Sequence, residues 1–316
     1  MKLLHYGWSH PRNQESIIIS CIKFNIEYEY TDVLDRIHTY DYDILWLPCN
    51  WISPDSLAKH IKIIYGPHFC VFPTSDMPIA GPLQDAWKDR CFFTCLSDWN
   101  VNIYKDFVES FKVPILALPF GLDTDKFCPD NSEKIYDFLL VFKGRDRNEL
   151  QYSINVLQSM NMSFNILIWG SFQHEEYLNL LRKSKGVLWI GSHESQGFAV
   201  QEALSCNVPL LVWNVRSLFQ EVSSEGIPEY KDYIGKKDLI ATTITSWDST
   251  CGEVFYDKEY LVDTLYIFLN KLRTYTPREF VMKNLTHKIC FKNMLEKLNI
   301  QLEQTNGHPN SCGASQ

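Results

Sequence analysis

The stretch Ser192-His193-Glu194-Ser195-Gln196-Gly197-Phe198-Ala199-Val200-Gln201-Glu202-Ala203-Leu204 decides how this chain is read, and it follows directly on the apolar run Val187–Ile190. The pattern is that of a strand ending, a loop presenting Glu194, and a helix beginning near Gly197. The first backbone N–H groups of such a helix lack intrahelical partners, which makes its entrance an anion site. Glycine there removes side-chain bulk where a phosphate or sugar meets the backbone. Glu202 lies little more than one helical turn further in, so both carboxylates can face one crevice. Two glutamates at this separation also occur on plain solvated helix faces; the loop and helix start are what set this pair apart. Carboxylates flanking an anion-binding helix end suit a ligand with phosphates in its middle and hydroxyls at both ends.

Working outward, short apolar runs alternate with amphipathic stretches, the rhythm of βα units on a parallel sheet. Strands are expected at Phe138–Phe142, Phe164–Trp169, Val187–Ile190 and Pro209–Trp213, with helices at Asn148–Met160, Glu175–Lys183 and Gly197–Ser205. Runs such as Phe-Leu-Leu-Val-Phe are apolar on both faces, as strands covered from both sides should be. The same rhythm occupies the first half. Strands are expected at Lys2–Tyr6, Glu27–Thr31, Asp43–Leu47, Ile61–Tyr65, Phe92–Leu96 and Pro114–Leu118, and helices at Asn13–Phe24, Asp55–His60 and Trp99–Phe111. Between the halves, Phe120–Asp130 breaks the pattern with Gly121, Pro129 and three aspartates. From Tyr260 onward Leu261, Leu265, Phe268, Leu269 and Leu272 share one helical face.

The expectation is therefore an α/β protein of two Rossmann-like, doubly wound domains that face each other across a cleft, where open sheets of this kind bind ligands. The expected divisions are an N-terminal domain over 1–122, a second domain over 123–276, C-terminal helices over 277–304 and a disordered polar tail over 305–316.

With 316 residues, 45% apolar and 22% charged, the chain has material for two packed cores. Its 30 basic and 38 acidic side chains give a net charge of −8, and the basic ones are scattered, which argues against nucleic acid as a partner. The longest apolar runs are about seven residues, far short of the ~20 needed to span a bilayer. No export signal is read at Met1–Trp8, so the ten cysteines are expected as reduced thiols of a cytoplasmic protein. Only Cys91 and Cys95 lie close together, and no partner pair completes a metal set. Cys251 has no neighbouring His to activate it as a nucleophile.

The glutamate pair in its context S-H-E-S-Q-G-F-A-V-Q-E-A-L-S resembles the signature of retaining glycosyltransferases of the GT-B fold, family 4 in particular. Leu118-Pro119-Phe120-Gly121-Leu122-Asp123-Thr124-Asp125-Lys126-Phe127 is similar to that family's interdomain segment. Leu140-Val141-Phe142-Lys143-Gly144-Arg145 is similar to the strand and turn that open its nucleotide-binding domain. The resemblance covers residues 114–215; the N-terminal half shares only the architecture. It implies that 123–276 is the nucleotide-sugar-binding domain and that the helices over 277–304 return to the N-terminal domain.

Carried over by position, the resemblance implies transfer of a sugar, with retention and without a metal or other cofactor, from a nucleoside-diphosphate sugar to a glycan, glycoprotein or lipid acceptor. It implies that Glu194 meets the donor sugar and Glu202 the ribose hydroxyls. Backbone groups of Ser195, Gly197 and Phe198 would hold the sugar or diphosphate, and Arg145 would neutralise the leaving diphosphate. The family places a lysine five residues after that arginine; here position 150 is Leu, so Lys143 or Arg147 is expected to supply the second charge.

In the N-terminal half, the loop Tyr6-Gly7-Trp8-Ser9-His10 offers Gly7 for the diphosphate or for a plain turn. His68 in Tyr65-Gly66-Pro67-His68 suits a sugar hydroxyl or a satisfied loop histidine. Ser97 or Asp98 is expected to cap the helix behind it, and Thr276-Pro277 to start another. Two rival readings share this scaffold: a nucleotide-sugar epimerase, and a degenerate non-catalytic protein that binds a glycan or a partner.

Overall fold

Four or five consecutive buried side chains mark the central strands, because a strand covered on both faces has no polar side. In the computed structural model, which describes residues 1–68, 89–107, 114–220 and 240–300, this holds for β3 (Ile44–Leu47), β5 (Cys91–Cys95) and β10 (Leu210–Trp213). The tail expected over 305–316 and the last residues of the helix expected over Trp99–Phe111 lie outside the described residues.

The first sheet contains β1 (Lys2–Tyr6), β2 (Glu27–Thr31), β3, β4 (Lys62–Tyr65), β5 and β6 (Ile115–Ala117), ordered β2-β1-β3-β4-β5-β6 with every pairing parallel. The second contains β7 (Tyr136–Lys143), β8 (Phe164–Ile168), β9 (Ser184–Gly191), β10 and β11 (Gly252–Phe255), ordered β8-β7-β9-β10-β11 and again parallel. In each sheet the first strand lies between the second and the third, so the chain reverses direction across the sheet at β1/β3 and at β7/β9. Such a reversal parts the loops at the strands' carboxyl ends and opens a crevice there.

Helices cover both sheets: α1 (Pro11–Lys23), a single turn α2 (Leu34–Ile37) and α3 (Asp98–Phe107) in the first domain, and α4 (Arg147–Ser159), α5 (His174–Lys183), α6 (Phe198–Ser205) and α7 (Leu261–Lys271) in the second. Leu261, Leu265 and Phe268 of α7 are fully buried, as their shared face requires.

Besides the single turn α2, which no expected segment covered, two elements differ from the sequence expectation. Asp55–His60 is not a helix: Pro54–Ser56 make one 3-10 turn and Leu57 is already extended at φ −114°. Six residues cannot repay helix nucleation without a packed face. Conversely β11 was not expected, being only four residues long and opened by Gly252 at φ +140°. A Cβ on Gly252 would lie 1.9 Å from the Leu210 carbonyl oxygen, so glycine is required for β11 to approach β10.

Of the helices expected over 277–304, the described residues 277–300 divide rather than returning as one unit, and 301–304 lie outside the described residues. On α8 (Pro277–Asn284), Val281 packs into the second domain's core together with Leu285 just beyond the helix. Phe291 and Met294 of α9 (His287–Lys297) pack with Leu3, Ile17 and Trp46 of the first. At the joint, the Leu122 N–H donates to the Leu285 carbonyl at 2.9 Å, and a Cβ on Gly121 would meet the His287 Cα at 2.2 Å. Arg278 ties the same segment down, donating to the carbonyls of Thr124, Phe127 and Ser205.

Candidate active site

The carboxyl ends of the two sheets enclose a cleft of about 420 Å³. Its second-domain wall is the segment that opened the sequence reading. The Ser192 N–H continues the sheet by donating to the Lys143 carbonyl at 2.8 Å, and the Glu194 N–H donates to Thr242 at 3.0 Å, so the loop leaves β9 pinned at its root. Gly197 then adopts φ +78°, a left-handed conformation that glycine takes without strain, and α6 starts at Phe198.

The loop is also fixed against the other domain. Gln196, buried, donates to the Phe120 carbonyl at 2.7 Å and accepts from the Phe120 N–H at 3.0 Å. Trp99 of α3 donates through Nε1 to the Glu194 carbonyl at 3.0 Å. Beneath α6, Tyr177 donates to the Ala199 carbonyl at 2.6 Å, and burial pushes its phenol well above the ordinary value.

The two carboxylates sit in different surroundings. Glu194 is in the half-buried loop, with Lys143 Nζ 2.7 Å from Oε1; that ammonium also lies 4.5 Å from the centre of the Trp169 ring. Glu202 is 1% exposed on α6. Its Oε1 is paired with Arg12 from the opposite domain, and its Oε2 lies 3.4 Å from His174 Nε2. A buried carboxylate persists only with such partners.

Of the residues singled out from sequence, Lys143, Glu194, Ser195, Gly197, Phe198, Glu202 and His68 line the cleft together. Gly7, Arg145 and Arg147 do not. Gly7, at φ +85°, donates to Thr31 at 3.1 Å and packs so closely on Asn50 that a Cβ would lie 2.6 Å from its Oδ1; it makes a turn that sends Trp8 and His10 into the cleft. Arg147 is exposed at the start of α4.

Arg145 is the main departure. It is 3% exposed and donates to the Gly191 carbonyl at 3.3 Å and to Glu149 at 2.7 Å, with its guanidinium 5.8 Å from the Trp213 ring centre. It braces the ends of β7 and β9 from behind. The sequence reading gave no role to Arg12, His174 or Trp169, all of which line the cleft. One signal was open to sequence reading: Arg12 occupies the first turn of α1, where the helix dipole disfavours a cation and where none of the residues is acidic.

The described residues contain no cluster of three His, Cys, Asp or Glu side chains arranged to hold a metal ion, and no helix among them is long and apolar enough to cross a membrane. Burial pushes the Cys251 thiol up to about 12, which removes it as a nucleophile at neutral pH.

No protein-family model and no curated protein sequence matches the chain. Solved structures match it along nearly its whole length. An Anabaena protein, HepE, in complex with UDP superposes with a TM-score of 0.54 at 10% identity, covering 95% of this chain and 100% of that one. A sucrose-phosphate synthase from Thermosynechococcus elongatus gives 0.53 at 10% identity, covering 94% and 98%. The apo form of the lipopolysaccharide outer core galactosyltransferase WaaB gives 0.52 at 12% identity, covering 95% and 99%. The fold is GT-B. In GT-B terms the wall bearing Glu194 and Glu202 belongs to the C-terminal domain, and Trp8, Arg12, His68 and the carboxyl ends of β4 and β5 form the N-terminal wall.

Proposed function

We propose that the protein is a glycosyltransferase that moves a sugar from a nucleoside-diphosphate sugar to a hydroxyl of a glycan, protein or lipid acceptor, with retention of configuration. The observation that carries this reading is the convergence of Glu194 and Glu202, on either side of the entrance to α6, in an interdomain cleft at the carboxyl ends of both sheets. In this reading Glu202 accepts hydrogen bonds from the ribose hydroxyls, as a carboxylate can from two neighbouring O–H groups. Backbone N–H groups at Gly197 and Phe198 receive the diphosphate, and Glu194, held by Lys143, meets the donor sugar.

The acceptor hydroxyl oxygen attacks the anomeric carbon from the side the diphosphate leaves. The bond from that carbon to the phosphate oxygen breaks with its electron pair remaining on the diphosphate. The acceptor's proton passes to that same oxygen, so no separate base is required. Fixed dipoles and charges aimed at the departing diphosphate are where such a site lowers the barrier, and closure of the domains keeps water from competing. Trp8 and Trp169, 52% and 44% exposed, offer flat faces for sugar rings at the two walls.

A thermal-shift screen against UDP, GDP, ADP and their sugar conjugates tests the reading, with UDP first because HepE is in complex with it. A ligand at 100 times its Kd stabilises the fold by ~2.7 kcal/mol. The expected result is a shift with one nucleotide that Glu202→Ala reduces by half or more; no shift with any nucleotide would sink the reading. A non-catalytic nucleotide binder is the second reading, favoured by the withdrawal of Arg145 from the cleft and by Leu150. Affinity without turnover across acceptor panels would select it.

A further inference from the structure

The donor-site reading requires positive charge for the diphosphate, and the C-terminal domain provides little. Arg145 is spent on Gly191 and Glu149, position 150 is Leu, Arg147 is exposed away from the cleft, and Lys143 is bound to Glu194 at 2.7 Å. Among the described residues lining the cleft, the permanent cations are Lys143 and Arg12.

Arg12 reaches across the cleft from the first turn of α1. Its guanidinium lies 5.2 Å from the ring centre of Phe198, the first residue of α6, and 6.0 Å from that of Phe127. It pairs with Glu202, and its Nη1 is 3.0 Å from Glu15 Oε2. The preceding turn is made for this placement: Gly7 reverses the chain, His10 caps α1 by accepting from the Arg12 N–H at 3.2 Å, and Pro11 sets the first helical position. A cation at this end of α1 opposes the helix dipole; at the entrance of α6 it adds to the field that attracts an anion.

We propose that Arg12 is the cation that binds the donor's diphosphate, supplied by the N-terminal domain in place of the arginine and lysine that the C-terminal domain does not present. The proposal rests on the donor-site reading above. Glu202 holds the guanidinium beside α6; as the ribose hydroxyls engage that carboxylate, the guanidinium turns to the phosphate oxygens a few ångströms away. Because the charge is carried by the opposite domain, diphosphate affinity depends on how the two domains sit, and a bare nucleoside does not draw on it.

The test is calorimetric titration of the full chain, wild type and with Arg12→Gln or Arg12→Lys, against UDP and uridine, GDP and guanosine, and ADP and adenosine, with folding checked by circular dichroism. The expected result is that Arg12→Gln loses about tenfold or more in affinity for the nucleoside diphosphate that binds the wild type, the size of one charge-assisted contact. The matching nucleoside changes less than about twofold by the same reasoning, since it carries no phosphate. Arg12→Lys falls between. Equal losses for diphosphate and nucleoside would overturn the proposal by leaving Arg12 only its hold on Glu202. Unchanged or tighter diphosphate binding would overturn it by making Arg12 a mere competitor for that carboxylate. If Arg12→Gln does not fold, Arg12→Lys decides by the same criterion, a loss larger for the diphosphate than for the nucleoside. Failure of the wild type to bind any of the three diphosphates removes the donor-site reading itself, a result distinct from a failure confined to the variants.

Discussion

The two walls of the cleft are built in opposite ways. The carboxylate-bearing part of the C-terminal wall comes from one continuous segment, the loop after β9 and the helix α6 that follows it, with Lys143 added from the adjacent strand and Trp169, Phe172, His174 and Tyr177 from the end of β8 and from α5. The N-terminal wall is gathered from four separated places: the turn after β1, the end of β4, the end of β5 and the face of α3. The first wall is polar and dense in paired charge; much of the second is apolar, with Pro67, Phe93, Leu96 and Tyr104. Chemistry carried by neighbours in sequence must keep its spacing to keep its geometry, whereas a wall assembled from loops on a rigid sheet can change one residue at a time. On the proposed function, the carboxylates that meet the donor's sugar and ribose belong to the first wall, while the second supplies Arg12 for the diphosphate and the acceptor's side of the cleft.

The sharpest way to break this contrast is to remove Glu194. Its contact in the proposed reaction is with the reacting sugar, so Glu194→Ala should lower kcat by about 10²–10³, as losing one preorganised polar group in an active site does. Its effect on the Kd for the nucleoside diphosphate should be small. Steady-state kinetics with the donor identified by the thermal-shift screen, together with titration of the free nucleotide, separate the two effects. A variant with undiminished kcat would take Glu194 out of the chemistry.

Glu202→Ala should do the reverse: a loss of about 10–100-fold in nucleotide affinity from two charge-assisted hydrogen bonds, with a smaller change in turnover at saturating donor. Because Glu202 is buried against Arg12 and His174, calorimetry should show the loss for nucleoside and nucleoside diphosphate alike. That shared loss distinguishes it from Arg12→Gln. If Glu194→Ala and Glu202→Ala gave the same kinetic pattern, the two carboxylates would not divide the donor between them.

These differences also explain what could be read from the residues alone. Both parallel sheets were legible because runs such as Ile44–Leu47 and Leu210–Trp213 are buried on both faces and have no polar alternation to mislead. The glutamate pair was legible because strand, loop and helix are contiguous. Arg145 was not: its direction is set by Gly191, Glu149 and Trp213, and the partners in β9 and β10 are far off in sequence. Arg12 was hidden for the same reason, since Glu202 lies 190 positions away. β11 escaped because its pairing is decided by Gly252 against Leu210, a backbone fit with no hydrophobic period.

The walls also have to be held at a fixed separation, and Gly121 is where that is decided. Its missing side chain admits the backbone of His287, with an added Cβ only 2.2 Å from Cα and 2.5 Å from N. Main chain cannot step aside as a flexible side chain can. Gly121→Ala should therefore cost about 1–3 kcal/mol, the range for overpacking, and lower Tm. Turnover should fall, and affinity for the nucleoside diphosphate should fall more than affinity for the nucleoside, since Glu202 stays within one domain while Arg12 and the acceptor side shift with the joint. An unchanged Tm and kcat would show that α9 does not set the cleft.

The effect of pH, smaller for each single histidine than for Gly121→Ala, again separates the two sides. His5 lies in β1 and His287 at the start of α9, and burial pushes both down to about 4 from an ordinary 6.5. His5 is packed against Trp46 with Nδ1 2.8 Å from Tyr28 Oη, and His287 Nδ1 is 3.2 Å from Ser16 Oγ. Neither Nε2 has a hydrogen-bond partner among the described residues. Each is thus held neutral in the fold, while the unfolded chain takes up a proton once the pH drops below about 6.5. Stability is whole above that value and is lost as pH falls from 6.5 toward 4, by about 1–2 kcal/mol per histidine at pH 5. Glu29, held down to about 2 by Arg36 and then Lys2, titrates between 4.5 and 2 and leaves this window to the histidines, among which His10, lowered by burial and then by Arg12, adds in the same direction. Both histidines pack in the N-terminal domain or on the helix that returns to it, so acid should loosen that side while the Glu194–Glu202 wall persists. Comparing Tm at pH 7 and pH 5 should show a drop that His5→Gln and His287→Gln each reduce. Hydrogen exchange at pH 5 should place the faster opening in β1, β2 and α9 rather than in β7, β9 and α6. Opening that begins in α6 would instead mean that the donor wall, for all its contiguity in sequence, is the weaker of the two.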